Sequence, residues 1–220
     1  MVKNKRLFRK VSIIGLGLIG SSIALAIKRK NLAQVTSGYS RSLKTRNAAK
    51  KLKITDKIEN NIGNCVKDSD LVIICTHLNS YKSIFKKISP YLSGKTIVSD
   101  VGSAKESAIA SVEKFTQNKI NFVPAHPIAG TEKSGPSAGF AELFENRWCI
   151  ITPLKNNTSK DINIIKIFWK KLGSKVEIMT PSRHDRVMAI TSHLPHLIAY
   201  NIVSTAAAVS YTHLTLPTSN

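Results

Sequence analysis

The order of elements along this 220-residue chain predicts an α/β fold, a doubly wound and mostly parallel sheet followed by the start of an all-helical domain. Three observations carry that expectation. The apolar run Val11-Ser-Ile-Ile14 leads directly into a glycine loop, Gly15-x-Gly17-x-x-Gly20. Strand-like apolar runs then alternate with amphipathic helical ones as far as Met179. From Pro181 onward the strand signal stops, and 184–209 has only helical character.

Each element has its own signal. After the loop, Ile19, Ile23, Ala26 and Ile27 recur at helical spacing, and Lys28-Arg-Lys30 sits where cations suit a helix C-terminus. Residues 34–40 read as a second strand and 43–52 as a helix with a basic outer face. Residues 70–75 form a strongly apolar strand. A helix over 81–92 follows, with Gly94 as its stop. A strand at 96–100 precedes a helix over 105–115. The strands 122–126, 148–152 and 176–179, with a helix at 162–172, are expected to extend the same sheet. This divides the chain into a Rossmann-type dinucleotide-binding domain, 1–181, and the beginning of a helical domain, 182–220. Residues 211–220 do not continue the helix before them, since Pro217 and several Thr and Ser break its pattern. One reading is a non-native tail, with the helical domain cut short.

Composition excludes several classes. Hydrophobic content of 42% and charged content of 21% are ordinary for a globular protein. Cys65, Cys75 and Cys149 are odd in number and form no CxxC pair, which argues against a disulfide framework or a structural zinc site and fits a reducing cytoplasm. No apolar stretch is long enough to cross a bilayer. The basic start lacks the apolar segment of a secretory signal and reads as a short solvated leader. The net charge of +20 raises nucleic-acid binding. However, the basic residues are spread along the chain without an aromatic-interleaved stripe, so no nucleic-acid or membrane partner is expected.

The glycine loop has a strand before it and a helix after it, the context a dinucleotide needs. Gly15 allows the tight turn, Gly17 admits a pyrophosphate to the backbone, and Gly20 lets helix and strand pack closely. The free N–H groups of the following turn, at Leu18 and Ile19, face the phosphates. NAD-binding sequences of this type carry an acidic residue about 20 positions on, which bonds the ribose 2′-hydroxyl. Here the second strand ends in Gly38-Tyr-Ser-Arg-Ser42. Ser40 and Arg41 suit a 2′-phosphate, so the cofactor is NADP or NAD, with NADP favoured. Thr76 and Ser103, each just beyond a strand end, complete the cofactor-binding set.

Three further segments stand out: Ser99-Asp-Val-Gly-Ser-Ala-Lys105, His126-Pro-Ile-Ala-Gly-Thr-Glu-Lys-Ser-Gly135 and Thr191-Ser-His-Leu-Pro-His196. Together with GLGLIGSS at 15–22, they make the chain resemble the prephenate/arogenate (cyclohexadienyl) dehydrogenases from about Val11 to Ala208. The resemblance implies an NAD(P)-dependent oxidoreductase of tyrosine biosynthesis. Such an enzyme oxidatively decarboxylates prephenate to 4-hydroxyphenylpyruvate or arogenate to tyrosine, as a cytoplasmic homodimer when full length. It implies that His126 accepts the proton of the substrate 4-hydroxyl, and that Ser103 bonds both that hydroxyl region and the histidine. Ser192 and His196 are implied to hold substrate, with His196 also catalytic beside the departing carboxylate, and Glu132 to stand near the entrance.

The resemblance also implies further helices beyond this chain, bearing an arginine for the substrate carboxylate and much of the dimer interface. The chain as it stands is then expected to bind cofactor better than substrate. His184, His193 and His196 invite a metal reading, but no carboxylate or cysteine completes a set and hydride transfer needs none. Two alternatives remain open: a related hydroxyacid or imino-acid dehydrogenase, and a non-catalytic dinucleotide-binding module.

Overall fold

The structure, a computed structural model, describes residues 6–116 and 120–213, with the side chains of 114, 116, 192–197 and 208–213 outside the described set. Six parallel strands form the main sheet in the order β3-β2-β1-β4-β5-β6. These are β1 (Phe8–Ile14), β2 (Ala33–Tyr39), β3 (Lys57–Ile58), β4 (Leu71–Ile74), β5 (Ile97–Asp100) and β6 (Asn121–Phe122). The helices between them are α1 (Leu18–Arg29), α2 (Leu43–Lys51), α3 (Ile62–Val66), α4 (Tyr81–Ile88) and α5 (Lys105–Thr116).

Both sheet faces are covered, so the central strand β4, Leu71–Ile74, is a continuous apolar run buried at every residue and not an alternating one. The side chains still alternate between faces. Val11, Ile13, Leu71, Ile73 and Ile97 join one buried cluster with α1. Ile14, Val72, Ile74 and Val98 join the other with α4 and α5. On α4 the buried residues are Tyr81, Ile84, Phe85 and Ile88, an i, i+3, i+4, i+7 stripe that seats the helix on the sheet. This helix is shorter than the 81–92 expected. Pro90 has no N–H to continue the ladder, and residues 89–91 close as a 3-10 turn.

One expectation is corrected. Residues 122–126 do not form a single strand, and the strands after them do not extend the main sheet. The Val123 N–H still bonds Val98 O on β5 at 2.8 Å, but Pro124 has no N–H to donate and its carbonyl accepts instead from Thr152 at 3.0 Å. The chain therefore leaves the main sheet at Pro124. It starts a second, three-stranded one from β7 (Ala125–Pro127), β8 (Trp148–Ile151) and β9 (Lys175–Ile178). β7 runs antiparallel to β8, and β8 runs parallel to β9. Helix α6 (Ser159–Lys171) connects β8 to β9 and turns Ile165, Phe168 and Trp169 into the first cluster, fusing the two sheets through one core.

After β9 come α7 (Pro181–Met188), a π-helical turn (Ala189–His193) and α8 (Leu194–His213). Thr180 caps α7 by accepting from the Arg183 N–H. Ile198, Tyr200, Ile202 and Val203 are exposed along α8. Among the described residues no helix is long and apolar enough to cross a membrane.

The joint between the sheets is polar and buried. Lys105 Nζ donates to both Asp100 oxygens, at 2.9 and 2.7 Å, and to Ala125 O at 2.7 Å. Asp100 also accepts from Tyr81 Oη, Gly102 N and Ala125 N. Both side chains of the pair are fully buried. Burial pulls the Lys105 ammonium below its ordinary range, and the Asp100 carboxylate opposes that shift. Replacing one member strands the other charge. Lys105→Met is expected to lose about 3–5 kcal/mol of stability in urea unfolding, and an unchanged midpoint would show that the joint does not depend on the pair.

Candidate active site

The glycine loop lies at the C-terminal end of β1, where open parallel sheets hold their ligands. Gly15 has φ +98°, a left-handed conformation that favours glycine. A Cβ on Gly20 would stand 1.9 Å from Gly15 O, so this glycine sets how closely α1 approaches the loop. A Cβ on Gly17 would meet nothing within 4 Å. That open space is the cradle a pyrophosphate needs. Gly17 is also the N-cap of α1 and supplies no side-chain cap, so the first-turn N–H groups point into the loop without a side-chain acceptor. The residues therefore fit a dinucleotide.

A groove of about 780 Å³ continues from this loop. Of the residues expected at the cofactor, Gly15, Gly17, Ser40, Arg41 and Thr76 line it, and Thr45, His77 and Lys87 line it too. No carboxylate is among the described lining residues. Arg46, just behind the second strand, serves the fold. Its Nη1 donates to Ser40 O and Arg41 O at 2.6 and 3.0 Å, and its guanidinium lies 5.9 Å from the Tyr39 ring centre. Arg41 itself is exposed at the groove.

His126 lies in the middle of β7, paired with Ile150, and not at the end of a main-sheet strand. The loop after β7 returns over α1. Phe140 N donates to Ser22 Oγ at 3.1 Å, and Gly135 of the same loop lines the dinucleotide groove. One continuous segment therefore runs from His126 to the groove wall. Ser103 is exposed in the turn before α5, and Glu132 is exposed in the loop after β7. The side chains of Ser192 and His196 lie outside the described residues, so their placement relative to His126 is not part of this geometry.

Sequence reasoning missed the partners of His126. Its Nδ1 is 2.9 Å from Nε2 of His184 on α7, and His184 Nδ1 is 2.7 Å from Asp185 Oδ1. The His184 side chain is fully buried, and that of Asp185 is 24% exposed. Asp185 also accepts from the Lys105 and Glu106 N–H groups at 2.8 and 2.9 Å. His184 is thus committed to an imidazole and a carboxylate, in place of the metal set considered from the sequence. The only local signal was an adjacent His-Asp pair early in a helix.

The chain matches the family model described as "Prephenate dehydrogenase, nucleotide-binding domain" over residues 23–178. A second model, "Prephenate dehydrogenase, dimerization domain", matches residues 180–215. The chain belongs to the prephenate dehydrogenase family. A cyclohexadienyl dehydrogenase of Zymomonas mobilis is 39% identical over 196 residues, which cover 89% of this chain and 67% of that protein. A prephenate dehydrogenase of Bacillus subtilis is 31% identical over 194 residues, 88% of this chain and 52% of its own length. The chain thus spans between half and two thirds of these relatives. Among solved structures, a prephenate dehydrogenase of A. aeolicus in complex with hydroxyphenyl propionate and NAD+ superposes with a TM-score of 0.83. It is 33% identical, and the match covers 90% of this chain and 68% of that one. An arogenate dehydrogenase of Synechocystis gives 0.80 at 27% identity, over 90% of this chain and 69% of that one. A pyrroline carboxylate reductase of Plasmodium falciparum, 19% identical with a TM-score of 0.62, shares the fold alone.

Burial lowers the His184 pKa below the ordinary histidine value of 6.5, against the opposing pull of Asp185. Burial pushes Asp185 up, but the two backbone N–H donors and His184 outweigh it and leave the carboxyl below its ordinary range. For a histidine held neutral in the fold, the unfolded chain binds the extra proton first. Stability is therefore expected to decline as pH falls below about 6.5. Thermal melts from pH 7 to 5 check this: His184→Gln should flatten that decline, and an identical slope in both proteins would contradict it.

Proposed function

We propose that this chain is the cofactor-binding and proton-transfer part of an enzyme that oxidatively decarboxylates prephenate, arogenate or both, in tyrosine biosynthesis. The observation that carries this reading is His126, which is half-buried, is held by the His184–Asp185 pair and lies on the segment that runs into the wall of the dinucleotide groove. The names of the relatives supply the substrate class.

The loop Gly15–Gly20 and the first turn of α1, including Leu18 and Ile19, would hold the pyrophosphate, with Thr76 beside it and Ser103 at the nicotinamide end. When bound, the nicotinamide supplies a hydride acceptor. Loss of the ring C4 hydrogen with its electron pair leaves a cation-like carbon bearing a hydroxyl. His126 takes that hydroxyl proton, which lowers the barrier. As the ring carboxylate departs as CO2, its bonding pair enters the ring, which becomes aromatic, and the ring oxygen recovers a proton. Ser103, in the turn before α5, is assigned to the substrate hydroxyl and to orienting His126. Ser192 and His196 are assigned to the substrate carboxylates and Glu132 to the entrance.

The preferred cofactor in this reading is NADP. Arg41 and Lys87 both line the groove, and the carboxylate that would grip a ribose 2′-hydroxyl is missing from its described lining. A homodimer is proposed for the full-length protein, supported by the dimerization-domain match and the exposed apolar residues of α8. Free Cys65, Cys75 and Cys149 are consistent with a reducing cytoplasm.

Two experiments test these assignments. In a protein completed to the length of its relatives, His126→Asn is expected to cut turnover of prephenate and arogenate by roughly 10²–10⁴-fold while dinucleotide binding persists. Unchanged turnover would remove His126 from the chemistry. Arg41→Asp should weaken NADP binding by about 10–100-fold, the worth of one charge-assisted contact, and move preference toward NAD. Equal titrations of both cofactors before and after the change would refute the NADP assignment.

A further inference from the structure

We propose that His184 and Asp185 are positioning residues that fix His126 as its Nδ1–H tautomer, keeping Nε2 as the unprotonated, accepting nitrogen. This rests on the reading of His126 as the proton acceptor.

The tautomers follow one from another along the chain of contacts. Asp185 Oδ1 lies 2.7 Å from His184 Nδ1, and an ionised carboxylate only accepts, so that nitrogen carries the proton. A neutral imidazole has one N–H, which leaves His184 Nε2 as an acceptor. The atom 2.9 Å from it is His126 Nδ1, which must donate. His126 then carries its proton on Nδ1 and none on Nε2. In the opposite tautomer Nε2 would bear a hydrogen and could not take one from a substrate hydroxyl.

The far end of the relay is anchored. The Lys105 and Glu106 N–H groups, at the first turn of α5, donate to the two oxygens of Asp185 and fix which oxygen faces His184. Lys105 also donates its Nζ to Ala125 O, the carbonyl immediately before His126. One helix end thus holds both the backbone at His126 and, through Asp185 and His184, its ring. Ser103 lies two residues before Lys105, so the same anchor sets the turn that carries it.

The bare alternative is that His126 and His184 are only packed edge to face, their ring centres 5.1 Å apart. Nitrogen-15 NMR of the imidazoles distinguishes the two on this chain without any need for turnover, with His126→Asn supplying the assignment. The expected spectrum at neutral pH shows a protonated Nδ1 and an unprotonated Nε2 on His126. His184→Gln keeps a carbonyl acceptor near the lost Nε2 and should preserve that pattern. His184→Phe keeps the volume without the acceptor and should give a mixture of tautomers. Asp185→Asn still caps α5 but can present an amide N–H to His184, and should also disturb it. It serves if the Phe variant does not fold.

In the full-length enzyme, His184→Phe is expected to lower kcat by roughly 10- to 100-fold, part of the 10²–10⁴ a positioned acid–base group supplies, with KM little changed and Gln restoring most of the loss. An Nε2–H form of His126 in the unaltered protein overturns the proposal. So does equal kcat in folded Phe, Gln and unaltered proteins. Full turnover in His126→Asn instead overturns the proton-acceptor reading itself.

Discussion

Asp100 and Lys105 are both shut off from water, and each charge is tolerable only because the other is 2.7 Å away. All three Lys105 ammonium hydrogens have acceptors, and both Asp100 oxygens are saturated. The pair sits where β5 ends, α5 begins and β7 starts, and it reaches α4 through Tyr81. Only four residues lie between the two charges in sequence, so the turn they form, which includes Ser103, has little freedom. The second sheet, the start of α5 and the strand bearing His126 therefore all take their positions from one satisfied ion pair.

The remaining architecture follows from covering both faces of a parallel sheet. Helices α1 and α6 close one face and α4 and α5 the other, and the strand ends are left open at one edge. There the glycine loop turns into α1 with too little room for side chains at Gly15 and Gly20 and with open space at Gly17. Steric exclusion at two glycines and vacancy at the third produce a cradle with an unpaired helix N-terminus beneath it. The loop from β7 then crosses α1 through Ser22 and links that cradle to His126. The cradle and His126 are thus joined by one continuous segment of chain.

The candidate site was only partly legible before folding. Gly15, Gly17, Gly20, Ser40 and Arg41 could be read because their spacing is local, one strand, one turn and one helix apart. His126 was recognisable from its HPIAG context, yet its place in the middle of a separate strand was not, because Pro124 diverts the chain by a missing N–H that acts only once β5 lies alongside. His184 was noticed for the wrong reason, as a possible ligand beside two other histidines. Its true partners lie 58 residues away at His126 and one residue away at Asp185, and only packing α7 against the start of α5 brings the three together.

By itself the sequence determined the class of fold, the dinucleotide loop and the family, because hydrophobic period, glycine spacing and short motifs are all properties of neighbouring residues. Tertiary structure decided where the second sheet departs, which arginine is consumed in holding the turn after β2, and which groups hold His126. Those outcomes depend on buried polar atoms finding partners across long sequence separations. A hydrogen bond that must be satisfied inside the core selects among contacts that no local pattern distinguishes.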